Sequence, residues 1–253
     1  MKLFDLSDRV ALVTGSSRGL GRTIAHGLGE AGATVILNGR DSEALERARE
    51  EFGADGIRAE ACRFDVTDDG EVDEAVARIE REVGPIHILV NNAGVNLRGP
   101  LEAYETRRWH ELMAVNLHGV FYVSRAVGRR MIERHAGKII NVASLMSEGG
   151  RATTAPYAAS KGAVKMLTRA LAVEWGRHNI QVNAIGPGYF LTEMTRPMHE
   201  DPELDGWVCG RTPAGRWGAP EELIGAAVFL ASDASSFVNG QVIYVDGGWL
   251  ASL

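Results

Sequence analysis

The apolar run at residues 9–14 (RVALVT), followed at once by residues 15–21 (GSSRGLG), constrains this chain more than any other feature. A continuous apolar run of that length is the pattern of a strand buried on both faces, as in a parallel sheet. The glycines behind it let the backbone turn sharply into a helix at 20–31 and approach a phosphate, whose charge meets the helix N-terminus. The spacing is Gly-x3-Gly-x-Gly rather than the commoner Gly-x-Gly-x2-Gly. Strand, glycine turn and helix in that order open a dinucleotide-binding unit.

The alternation continues to the end of the chain. Runs at 34–38, 58–64, 86–91, 138–143, 180–185 and 241–245 read as further strands. Helical spacing occupies 42–52, with Ser42 as its candidate cap, then 68–83, about 106–134, 157–177 and 221–231. Seven strands alternating with helices predict an α/β fold: a single Rossmann-type, doubly wound, mostly parallel seven-stranded sheet with helices on both faces. No composition break or repeat divides the chain, so residues 1–253 read as one dinucleotide-binding and catalytic domain. Residues 186–220 hold five of the eight prolines and little periodicity. They read as an irregular insertion, with a substrate lid at about 188–218.

Charge and cysteine usage narrow the function classes. Lys+Arg total 27 against Asp+Glu 33, a net charge of -6, which lacks the basic footprint of a nucleic-acid binder. The longest apolar stretch, at 224–231, is far short of the ~20 residues that span a bilayer. Asp5, Asp8 and Arg9 interrupt any export signal. Cys62 and Cys209 have no metal-ligand spacing and point to a reducing, cytoplasmic setting. The seven histidines also lack such spacing, and no metal site is expected.

Tyr157 and Lys161 stand four apart in a predicted helix, so both side chains project from one face, about 6 Å apart along the axis. Reducing a carbonyl by hydride needs a proton donor for the developing alkoxide, and the reverse reaction needs a base. A free tyrosine, with a pKa of about 10, is a poor base near neutrality, and a neighbouring ammonium favours its phenolate. Ser144 follows the fifth strand, where its hydroxyl can hold a substrate oxygen.

With the glycine turn, 91–94 (NNAG), Asn116, Pro187, Gly188 and 246–248 (DGG), these residues resemble the short-chain dehydrogenase/reductase family across essentially the whole chain. The resemblance implies a nicotinamide dinucleotide across the carboxyl ends of the strands and a catalytic set of Asn116, Ser144, Tyr157 and Lys161. It places Gly15, Ser17, Arg18, Gly19, Leu20 and Gly21 in the phosphate turn, and Asp65 and Val66 at the adenine. It sets Asn92, Ala93 and Gly94 on the adenosine side and Pro187, Gly188 and Thr192 beside the nicotinamide. Lys161 would also bind the nicotinamide ribose, and Asn116 would hold a water relaying protons to Lys161. Asn91 and Asn92 can equally serve to tie strands together. Members of the family usually form homotetramers. The apolar end at 249–253 could pack on a neighbouring subunit or on its own.

The acid that NAD-preferring relatives place at the end of the second strand is absent, because Gly39 stands there and Asp41 lies beyond the usual place. Arg40 and Arg18 can together clamp a 2′-phosphate. NADP is therefore the expected cofactor, with NAD as the alternative. The substrate is read as a small molecule. Residues 145–151 are polar, and Met146, Ser147, Glu148 and Arg151, with Asn96 and Arg98, are the candidate substrate contacts. These residues, with 157–169, 178–183, 188–195 and 211–217, resemble the branch of the family that interconverts D-gluconate and 5-keto-D-gluconate. Hydroxyls of a hexonate would reach Ser147, Glu148 and Asn96, and its carboxylate would meet Arg98 or Arg151. Each arginine is equally readable as surface charge, and Glu148 alternatively as a ligand to a bridging cation. Rival readings are a 3-oxoacyl-[acyl-carrier-protein] reductase, docked through a basic patch at Arg125, Arg129 and Arg130, another sugar or polyol dehydrogenase, and a non-enzymatic dinucleotide sensor or scaffold.

Overall fold

Alternate residues of the first strand go to opposite faces and are buried on both, which is what a central parallel strand requires. In the structure, a computed structural model describing residues 2–252, β1 (Val10–Val13) sends Ala11 and Val13 to one hydrophobic layer and Val10 and Leu12 to the other. The remaining strands are β2 (Thr34–Gly39), β3 (Ala59–Arg63), β4 (Ile86–Asn91), β5 (Gly137–Val142), β6 (Ile180–Pro187) and β7 (Val242–Val245). Their order is β3-β2-β1-β4-β5-β6-β7, and every neighbouring pair is parallel. The sheet is thus wholly rather than mostly parallel. The winding reverses between β1 and β4, so the loops at the carboxyl ends of these two strands splay apart and leave a crevice.

One face is covered by α1 (Gly19–Glu30), α2 (Ser42–Ala54) and α9 (Ile224–Ala231), through Ile24, Leu28, Leu45, Phe52 and Leu230. The other is covered by α3 (Asp69–Glu82), α5 (Gly119–Arg134) and α6 (Ala155–Trp175), through Val72, Ile79, Val127, Met131 and Trp175. Each layer buries a complete set of apolar side chains, the dominant favourable contribution to the fold.

Three local features depart from expectation. The cap of α2 is Asp41, not Ser42: its carboxylate accepts from the backbone N–H of Glu43 and Ala44. The long helix at 106–134 is α4 (Thr106–Met113) and α5 joined by a π-helical segment, Ala114–His118, which carries Asn116. The proline-rich insertion is not irregular. It forms a short helix α7 (Arg196–His199) and a longer α8 (Pro202–Arg211), whose cap is Asp201.

Among the described residues no helix is long and apolar enough to cross a membrane. Arg125, Arg129 and Arg130, a docking patch on one rival reading, are each paired with an acid: Asp69, Asp73 and Glu133 respectively. Trp249 packs on its own subunit, 4.8 Å from Tyr189 and 5.2 Å from Trp207 between ring centres.

Candidate active site

The glycine turn is shaped by what stands opposite it. Gly15 has φ +63°, and a Cβ there would lie 2.8 Å from the Cα of Ala93. Only glycine combines that backbone with that approach. Gly19 also has a positive φ, +58°, yet a Cβ there would meet nothing within 4 Å. Its open side is the space in front of the N-terminus of α1, where backbone N–H groups are free to meet a phosphate.

Two buried residues that the sequence reading passed over hold this turn. Asn38 accepts from the N–H of Gly15 and donates to the carbonyls of Cys62 and Phe64, so one side chain joins β2, the turn and the end of β3. Thr14 Oγ1 accepts from the N–H of both Asn92 and Ala93. Asn92 returns the contact, donating to the carbonyls of Thr14 and Gly15 at 3.0 Å each. Asn91 lies in a buried chain, donating to Ser124 and to Asn141, which in turn donates to Thr168. A buried asparagine at a strand end, where backbone groups lose their ladder partners, was the available signal.

At the β2 end of the crevice Arg40 is exposed and lies 3.7 Å from Asp65. Asp65 uses its other oxygen to accept from the N–H and hydroxyl of Thr67. Ser17 Oγ would lie 3.4 Å from a Cβ at Gly39, so no side chain at position 39 intrudes between turn and strand. Arg18 is exposed and lies 3.9 Å from Glu193. Asp41 is committed to capping α2. The crevice therefore presents two exposed guanidiniums and no free acid at the place where a 2′-phosphate would lie, so these residues fit NADP. Val66 is buried against Gly119.

The catalytic candidates meet on the far side of the crevice. Lys161 is almost wholly buried, with Nζ 5.8 Å from the centre of the Tyr157 ring and donating to the carbonyl of Val142 at 2.6 Å. Burial lowers its pKa to about 8. Burial pushes the Tyr157 phenol upward, hydrogen bonding from Ser144 opposes this, and the Tyr189 phenol adds to the rise. The expected depression of the phenol's pKa by the ammonium is not seen in the free chain, where burial disfavours the charged forms of both groups. Ser144 caps the 3-10 turn Leu145–Ser147 by accepting from the N–H of Met146.

Asn116 is fully buried and grips Val95 twice, accepting from its N–H at 2.8 Å and donating to its carbonyl at 2.9 Å. It also donates to Ser160, whose hydroxyl donates to the carbonyl of Tyr157. A Cβ at Gly94 would lie 3.4 Å from Asn116 Oδ1 and 3.8 Å from Lys161 Nζ, so the 92–95 loop passes directly beside both.

The substrate candidates divide into occupied and free groups. Glu148 is paired with Lys165 and accepts from the Tyr244 hydroxyl at 2.6 Å. Ser147 donates to the carbonyl of Lys161. Met146 Sδ faces the Thr154 hydroxyl. In contrast, Asn96 Oδ1 is buried with no partner. Arg98 donates to Thr153 Oγ1 and Arg151 stacks over Trp207, 4.3 Å from the ring centre, and neither has a carboxylate partner among the described residues. Both extend toward Met198 on α7. Tyr189, another residue not singled out from sequence, lies 3.5 Å from Arg151 and touches Trp207, Trp217 and Trp249. The segment after β6 also holds Thr192, bonded to Thr195, and Gly188, packed on Asp246 beyond Pro187. No cluster of three or more metal-ligating side chains occurs among the described residues.

Known proteins share this arrangement closely. A family profile described as enoyl-(acyl carrier protein) reductase matches residues 15–250. The chain is 55% identical to gluconate 5-dehydrogenase of Gluconobacter oxydans over 251 residues, 99% of this chain and 98% of that one. It is 54% identical to 5-keto-D-gluconate 5-reductase of Escherichia coli K12, covering 99% of each. The crystal structure of a gluconate 5-dehydrogenase from Burkholderia cenocepacia, in complex with NADP and tartrate, superposes with a TM-score of 0.97 at 51% identity, covering 100% of this chain and 99% of that one. Glycine turn, Tyr157–Lys161 pair and whole-chain likeness agree: the chain belongs to the short-chain dehydrogenase/reductase family.

Proposed function

We propose that this protein is an NADP(H)-dependent oxidoreductase that interconverts D-gluconate and 5-keto-D-gluconate. The observation that carries the reading is the pair Arg98 and Arg151, which converge on Met198 with no acid partner among the described residues, and the orphaned Asn96 oxygen two residues from Arg98. A carboxylate on the substrate would supply the missing anion and a hydroxyl the missing donor. The relatives from Gluconobacter oxydans and Escherichia coli act on this pair of compounds by name, and the Burkholderia structure holds NADP with tartrate, a hydroxylated dicarboxylate. The acyl-carrier-protein rival is less well supported, because the arginines it would dock on are already paired.

The dinucleotide, when bound, supplies or accepts the hydride. Gly19 would leave room for its pyrophosphate, with the backbone of Ser17, Arg18 and Leu20 at the helix start, while Gly15 and Gly21 let the turn pack against Ala93 and Asn92. Arg40 and Arg18 would hold the 2′-phosphate, Asp65 and Val66 would bound the adenine, and Asn92, Ala93 and Gly94 would line the adenosine side. Pro187, Gly188 and Thr192 would bound the nicotinamide end.

Tyr157 gives a proton to the carbonyl oxygen during reduction and takes it back during oxidation. Ser144 holds the same oxygen from the other side. Lys161 stabilises the Tyr157 phenolate once it forms and binds ribose hydroxyls; its lowered pKa places its proton within reach of neutral pH. Asn116 acts as a positioning residue that fixes the 92–95 loop against α6. The lid, 188–218, carries Met198 and Trp207 over the arginines. The chain acts as a single domain, in the cytoplasm, as a homotetramer.

The test compares 5-keto-D-gluconate, other keto-sugars and a 3-oxoacyl thioester, each with NADPH and NADH. The highest kcat/KM is expected for 5-keto-D-gluconate with NADPH. Faster thioester reduction would overturn the substrate, and preference for NADH the cofactor.

A further inference from the structure

At the end of the sheet opposite the glycine turn, the entering ends of β4, β5 and β6 frame a cavity of about 250 Å³. Lys138 of β5, Gln181 of β6, His87 of β4 and Arg9 line it, with Asp233 on one wall. Lys138 is only 9% exposed, yet no carboxylate pairs with it among the described residues. Its one side-chain hydrogen bond among the described residues is a 3.4 Å contact to Ser235 Oγ. The other donors are as loosely engaged: Gln181 Nε2 reaches Asn179 Oδ1 at 3.4 Å, and Arg9 reaches Asp233 at 3.4 Å. All three lie beyond the usual range for such bonds.

His87 Nδ1 accepts the N–H of Val10, so in the neutral ring the other nitrogen carries the hydrogen and is a further donor. The nearby acid Glu80 is held by Arg134, and Asp233 is shared with Arg9. Burial lowers the pKa of Lys138 to about 8, which leaves it largely charged at neutral pH. Buried charges are ordinarily paired. Lys138 and Arg9 thus face the cavity with Asp233 as the one carboxylate among its lining residues, around a space large enough for a small ion.

We infer that this cavity binds a small oxyanion, a phosphate or a carboxylate, with Lys138 as its principal ligand and Gln181 and Arg9 as the others. This site lies apart from the crevice and does not depend on which substrate the enzyme takes.

The experiment uses enzyme saturated with NADPH, which fills the dinucleotide phosphate positions. Thermal midpoints are measured against inorganic phosphate, acetate and chloride at equal ionic strength. At tenfold above half-saturation the bound anion is expected to raise Tm by about 3–6 °C. Lys138→Met should lose that shift, Gln181→Leu should reduce it, and Lys138→Arg should keep it. A response to phosphate alone identifies a phosphate site, and a response to both oxyanions a general one. A shift matched by chloride, or one unchanged in Lys138→Met, overturns the proposal. Should Lys138→Met fail to fold, an undiminished shift in Gln181→Leu overturns it instead.

Discussion

Arg98 and Arg151 converge on one atom: the Nη1 of each lies 3.9 Å from the sulfur of Met198. A thioether is a weak acceptor and leaves both guanidiniums short of a strong partner. Two cations pointed at one place can share the two oxygens of a carboxylate. Arg98→Ala and Arg151→Ala should therefore each raise KM for 5-keto-D-gluconate about tenfold or more, from the loss of a charge-assisted hydrogen bond. KM for a neutral keto-sugar of similar size should change little. Steady-state kinetics on both compounds checks this, and equal increases would assign the arginines to the fold instead.

Cofactor choice separates Arg40 from Asp41, neighbours with different duties. Arg40→Ala should weaken NADPH binding about 10- to 150-fold and leave NADH nearly unchanged. Asp41→Ala removes the cap of α2 and should lower stability by about 1 kcal/mol without altering the NADPH:NADH ratio. Titration of both dinucleotides against both variants, with thermal melts, distinguishes the two. A switch toward NADPH in Asp41→Ala would show that the acid faces the ribose.

The buried asparagine at the end of β2 gives a prediction about the turn itself. Asn38 is 1% exposed and joins three backbone segments. Asn38→Leu has similar volume and removes all three bonds, leaving the Gly15 N–H without its acceptor. A buried group left so costs about 1–3 kcal/mol, so the variant should melt well below the parent and bind both dinucleotides weakly. Unchanged affinity in a folded variant would remove Asn38 from the construction of the turn.

The particular residues explain which parts of this molecule could be read in advance. Strands β1, β2, β4, β5 and β6 were legible because apolar runs buried on both faces leave a signal in composition alone. The Tyr157–Lys161 pairing followed from helical spacing. Helix α8 was not legible: Gly206 and Gly210 give residues 202–211 poor intrinsic helix propensity. It is held by tertiary contacts, Asp205 accepting from Trp217 Nε1 at 2.7 Å and Trp207 packing on Tyr189. Local pattern cannot report partners drawn from elsewhere in the chain. The same reason hid Asn38 and Tyr189, and it kept hidden that Glu148, so plausible as a substrate ligand, already has Lys165 and Tyr244.

The last prediction concerns the proton. Lys161 has a folded pKa of about 8, below its ordinary 10.5, so between those values the unfolded chain binds more protons. The free chain should gain stability as pH rises through that window, and Lys161→Met should flatten that part of the Tm profile relative to the parent. The two chemical directions should diverge over the same range. Oxidation needs Tyr157 ionised and accelerates with rising pH, whereas reduction needs its proton and slows. Tyr157→Phe keeps the ring but not the proton, and should cut kcat by about 10²–10⁴-fold in both directions with dinucleotide affinity retained. Rates measured both ways from about pH 6 to 10, on parent and variant, test the assignment. Parallel pH profiles for oxidation and reduction, or near-parental turnover in Tyr157→Phe, would place the proton on some other group.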